Sequence, residues 1–187
     1  MKKGLITVGV IIGIILVLVV MFSSTYNGLV SKKEEVDGKL ADISVQLERR
    51  ADLIPNLVET VKGYAKHEEG TLTAVIEARN MAVNAGTVNE KIDANNQLTG
   101  ALNKLFALSE AYPDLKANTN FMSLQNDLKD TEDKITYARQ FYNDSAMSFN
   151  NLVEMFPSNI VASMFGFKKY EFFKALDEEK ETPKVKF

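Results

Sequence analysis

The chain has no cysteine, which excludes disulfides, thiolate catalysis and cysteine-ligated metal. It has one histidine, His67. A di-iron centre in a helical bundle needs carboxylates on facing helices and two Glu-x-x-His pairs. The residue three positions before His67 is Tyr64, so that chemistry is excluded. His67, Glu68 and Glu69 are consecutive, and adjacent helical side chains point in different directions and do not converge on one ion. A lone histidine beside acidic residues is also a thin basis for nucleophilic catalysis. His67 is therefore expected at the solvent, and no catalytic, cofactor-binding or metal-ligating residue is predicted. No GxxxxGK phosphate loop occurs, and the glycines are scattered. Positive charge is also short: 22 basic residues face 25 acidic ones, for a net charge of −3. Without Lys2 and Lys3 the balance is more acidic still, which leaves no electrostatic footprint for nucleic acid. Asn143-Asp144-Ser145 matches a glycosylation pattern, but one match is expected by chance in a chain this rich in asparagine. Strand-like alternation of any length is missing as well.

What remains is helical. After Lys2 and Lys3, the stretch GLITVGVIIGIILVLVVMF (4–22) is uncharged and apolar. As a helix it is about 28 Å long, enough to cross a hydrocarbon core. A cleaved signal peptide is the competing reading; the run exceeds a usual apolar signal region, and SSTY is a poor cleavage site. A retained anchor over residues 1–24 is the reading adopted. The lysines directly before the span, against Lys32 and Lys33 farther away among acidic residues, favour a cytoplasmic N-terminus and a body outside. Gly9 and Gly13 form a GxxxG pair that would let two anchors approach closely, although glycine is common in membrane helices for blander reasons.

The body, residues 25–175, is predicted as an up-and-down four-helix bundle. Val36, Leu40, Ile43, Leu47, Ile54, Leu57, Val58, Val61 and Ala65 make one apolar stripe at helical spacing. Pro55 interrupts it. A proline inside a helix removes one hydrogen bond and clashes with the carbonyl four residues earlier, at a cost of about 3 kcal/mol. A turn between Arg50 and Pro55 is therefore expected in preference to a kinked helix. Asp52 would cap the next helix, giving helices at about 26–50, 53–84, 89–112 and 118–156. Ile92, Leu98, Leu102, Leu105 and Phe106 face inward on the third. The last carries a seam of three- and four-residue steps: Phe121, Leu124, Leu128, Thr131, Ile135, Ala138, Tyr142, Ser145, Phe149, Leu152 and Phe156. Residues 176–187 are charged and read as a flexible tail.

Four segments carry a resemblance. QLERRADLIPNLVETVKGYAKHE (46–68), EAYPDLKANTNF (110–121), ARQFYND (138–144) and FPSNIVASMFGF (156–167) are similar to the LemA family in words and spacing, over nearly the whole chain. Leu40, Glu48 and Phe149 depart from the residues usual there, a Trp, a Lys and a Tyr. The resemblance implies a bacterial membrane-anchored helical bundle and no particular reaction.

Up-and-down connectivity would bring the segment after Phe156 back to the bilayer. Phe165, Phe167, Lys168, Lys169, Tyr170, Phe172 and Phe173 would then either meet the membrane interface or cap the membrane-proximal end of the core. Arg50, Glu68, Arg79, Glu110 and Arg139 lie on or beside the apolar stripes. Internal ion pairs are the plain reading for them, partner binding the sharper one. Two functions follow from an anchor, a long heptad seam and no catalytic constellation. One is a single-pass, non-enzymatic bundle for association with itself or other envelope proteins. The other is a sensing or signalling accessory that binds a ligand or an envelope enzyme through the bundle.

Overall fold

A computed structural model describes residues 2–173; the charged tail predicted at 176–187 lies outside them. The described chain is helical, in the order α1 (Lys2–Tyr64), α2 (Glu69–Asn84), α3 (Val88–Ser109), α4 (Pro113–Lys116), α5 (Thr119–Glu154) and α6 (Ser158–Phe165). Two compact units are built from it. One contains the chain through Leu40 together with Phe141–Phe172, the other Ala41–Gln140 together with Phe173.

The second unit packs segments of α1, α2, α3 and α5 round one core, with the short α4 adding Leu115 to it. Ile54, Leu57 and Val61 of α1, Leu72 and Val75 of α2, Leu98, Leu102 and Leu105 of α3, and Phe121 and Leu128 of α5 form that core. The turn into α3 is a capping box: Thr87 accepts from the Glu90 backbone, and the Glu90 carboxylate accepts from the Thr87 backbone. In the first unit, Leu29 and Val36 of α1 and Tyr142 and Phe149 of α5 are fully buried. α6 closes the unit with Val161 and Ala162 turned in.

The turn expected between Arg50 and Pro55 does not exist, and Asp52 caps nothing there. α1 is one helix of 63 residues with Pro55 inside it, and the reversal falls at 65–68. The reason is a single distant side chain. Pro55 leaves the Ala51 carbonyl without its helical donor, and Arg79 Nε on α2 donates to that carbonyl at 3.3 Å. The helix lengths differ from expectation as well: beyond the apolar run, residues 26–64 make about 58 Å of helix and the 36 residues of α5 about 54 Å. α2 and α3, with 16 and 22 residues, are the short pair, in place of four helices of similar length. The α5 seam is buried as read at Phe121, Leu128, Thr131, Ile135, Tyr142, Ser145 and Phe149. Phe156 is not part of it, because α5 ends at Glu154, ahead of Pro157, and Phe156 is left 78% exposed.

Candidate functional site

Three arrangements stand out. The first, in the first unit, is a strap formed by residues 166–172. Gly166 adopts the left-handed conformation (φ 73°) at the end of α6, and the Phe167 N–H returns to the Ala162 carbonyl at 3.0 Å. That closure suits glycine because other residues pay a steric penalty there. The strap then runs along α5, where buried Asn150 acts on it like a neighbouring strand. Asn150 Nδ2 donates to the Tyr170 carbonyl at 2.9 Å, and the Tyr170 N–H donates to Asn150 Oδ1 at 2.8 Å. The Tyr170 ring packs edge-on against Phe149 and Tyr142, and its hydroxyl donates to Asp37 Oδ1 on α1. Burial, with the bond to Asp37, pushes the Tyr170 phenol well above its ordinary pKa. Burial pushes the Asp37 carboxyl up, but bonds from Lys33 and Tyr170 outweigh that and hold it below its ordinary value.

The second, in the other unit, is a buried polar cluster. Arg50 is 3% exposed; its Nη1 donates to Asn95 Oδ1 at 2.7 Å and pairs with the Glu132 carboxylate. Burial pulls the Arg50 pKa down, opposed by Glu132. The cluster joins α1, α3 and α5 through buried polar groups, and removal of one partner of such a pair leaves an uncompensated charge.

The third, also in that unit, is an open groove of about 260 Å³ lined by Ser44, Leu47, Glu48, Ala51, Ala82, Val83, Ala85 and Lys91. Lys91 Nζ donates to Ser44 Oγ at 3.0 Å across it.

The remaining residues singled out in the sequence fall as follows. Gly9 and Gly13 are exposed, with open space where a Cβ would stand. Phe165 rings Phe22 and Tyr26, and Phe167 lies against Tyr26 and Phe149. Lys168 and Phe172 are exposed, Lys169 pairs with Glu154, and Phe173 is buried with the Arg139 guanidinium 5.7 Å over its ring. Glu68 accepts from the Tyr112 hydroxyl at 2.9 Å, and Glu110 pairs at the surface with Lys116. His67 is exposed. Among the described residues no group of three or more His, Cys, Asp or Glu side chains is placed to hold a metal.

Sequence reasoning missed Asp37, Asn95, Glu132 and Asn150. Asn95 carried a usable signal: it shares the inward face of α3 with Ile92 and Leu98, which a polar residue occupies only with a partner. Asp37 and Asn150 carried none, since their partner Tyr170 lies 133 and 20 residues away.

In α1 an 18-residue window reaches a mean hydropathy of 3.0 with none of it buried. That window and the two packed units define an all-helical, membrane-associated protein with one helix long and apolar enough to cross a bilayer. The model of the LemA family matches residues 39–187, and the chain belongs to that family. It is 26% identical to the magnetosome protein MamQ of Magnetospirillum gryphiswaldense over 174 residues, covering 79% of this chain and 64% of that relative. It is 27% identical to protein LemA of Metamycoplasma hominis over 158 residues, covering 82% of this chain and 71% of that one. The chain thus spans less than two thirds of the length of the magnetosome relative.

Proposed function

We propose that the protein is a single-pass, non-enzymatic helical body that mediates protein association at the bacterial cell envelope, with the body on the extracytoplasmic side. The groove between α1, α2 and the start of α3 carries this reading. Its floor is small and apolar (Ala51, Ala82, Ala85), its rim holds Glu48 and Lys91, and Val83 stands 54% exposed at its edge. The groove is shallow and open, about 260 Å³. It suits one or two side chains inserted from another protein. Gly9 and Gly13, one helical turn apart in the apolar run, are where two such anchors would approach closely.

The test is a photo-crosslinking amino acid at position 83 of the full chain in cells. A discrete adduct, lost on changing Ala82 to Glu, is expected. A chain that forms no adduct and remains a monomer in detergent would refute association through this groove.

A further inference from the structure

Residues 155–167, MFPSNIVASMFGF, contain no charged side chain, yet half of that segment faces outward. Ser158, Val161 and Ala162 of α6 are buried. Met155, Phe156, Ile160, Met164 and Phe165 are exposed, Phe156 by 78% and Met164 by 66%. Those values are close to or above the exposures of Val17 (65%) and Val20 (68%) in the apolar part of α1. A helix face meeting water normally carries charge, and a contiguous apolar patch marks a surface that something covers.

The position of the patch says what covers it. The Phe165 ring lies 4.6 Å from that of Tyr26 and 6.0 Å from that of Phe22, and Phe22 closes the apolar run that begins at Gly4. The outer face of α6 is therefore continuous with the exposed apolar surface of α1 inside the same unit. Gly166 then reverses the chain in the left-handed conformation, and the strap begins there.

We propose that α6 lies in the headgroup–acyl boundary of the bilayer that α1 crosses, with Met155, Phe156, Ile160, Met164 and Phe165 seated in lipid. The attachment is apolar in character: α6 carries no charge, and of the two lysines that follow it Lys169 pairs with Glu154 at the surface, so exposed Lys168 adds only a secondary attraction for anionic headgroups. This rests on α1 crossing a membrane and not on the association reading above.

The test exploits the absence of cysteine. Full-length chains carrying Met164→Cys, Ile160→Cys or Gly38→Cys are labelled with an environment-sensitive fluorophore and reconstituted in phosphatidylcholine vesicles containing brominated acyl chains. Gly38 is exposed, has room for a side chain and lies about 24 Å along α1 from Phe22. Labels at 164 and 160 are expected to emit blue-shifted light that brominated lipid quenches, whereas the label at 38 is not quenched. Replacing part of the phosphatidylcholine by phosphatidylglycerol should leave the quenching unchanged. Labels at 164 and 160 that brominated lipid does not quench overturn the proposal. Aqueous iodide then tells a face open to water from one covered by protein. Quenching that requires the anionic lipid overturns its apolar basis.

Discussion

Pro55 shows how one side chain decides the course of a backbone. Ala51 is a buried residue, and its carbonyl left without a donor would cost about 1–3 kcal/mol. Arg79 reaches it from 28 residues away. The two positions should therefore be coupled. Arg79→Ala is expected to lower stability by about 1 kcal/mol with Pro55 present, and by much less in a Pro55→Ala background, where an alanine N–H restores the helical bond. Denaturant unfolding of the four chains in detergent, followed by helical circular dichroism, measures that cycle; equal costs in both backgrounds would show that the Arg79 bond is incidental. The Tyr170–Asp37 pair makes a prediction in pH. A phenol whose pKa is raised in the folded state contributes fully below about pH 10, and the contribution is lost as pH rises through the folded value. A carboxyl held low contributes fully above about pH 4, and that contribution is lost as pH falls through its folded value. Melting temperature should thus fall at both extremes, and Tyr170→Phe should flatten the alkaline limb without abolishing it, since burial also raises Tyr142.

At the scale of elements, apolar periodicity read from sequence located most helices because burial repeats every three to four residues wherever a helix has one inner face. α2 ends at Asn84, where the Asn-Ala-Gly-Thr run stops it, and α5 keeps its seam for about five heptads. The same logic failed at Pro55, because the donor that rescues the helix is not local. It also failed to separate cap from surface after Phe156, where one short segment does both: Val161 and Phe167 turn in, Met164 turns out. The strap shows the physical reason. Its place is set by Asn150, one amide satisfying both backbone groups of Tyr170, and no periodicity announces such a clamp. Asn150→Leu should therefore release the strap while leaving α5 helical. The measurement is limited trypsin digestion, in which cleavage after Lys168 and Lys169 should accelerate several-fold with little change in overall helix content. Unchanged cleavage would mean that the aromatic contacts alone hold it.

At the scale of the whole molecule, the one apolar run among the described residues long enough to cross a bilayer lies at the start of α1, so the side on which the body lies follows from the direction in which that run is inserted. The flanks of the apolar run differ in kind. Lys2 and Lys3 abut it directly, whereas Lys32 and Lys33 stand about three turns beyond it, paired with Glu35 and Asp37. Lysines closest to a span weigh most in orienting it, so the body is predicted outside the cytoplasm. With an epitope after Phe187, protease added to intact cells should remove the epitope. Moving the charge, by Lys2→Gln and Lys3→Gln together with Ser23→Lys and Ser24→Lys, should protect it, because the basic flank then lies on the body's side. Ser24 and its neighbours border the apolar run without burial in the core, so the change acts on insertion and not on packing. Protection of the unaltered chain in intact cells, with digestion only after lysis, would place the body inside. Association through the Val83 groove would then have to be with cytoplasmic proteins.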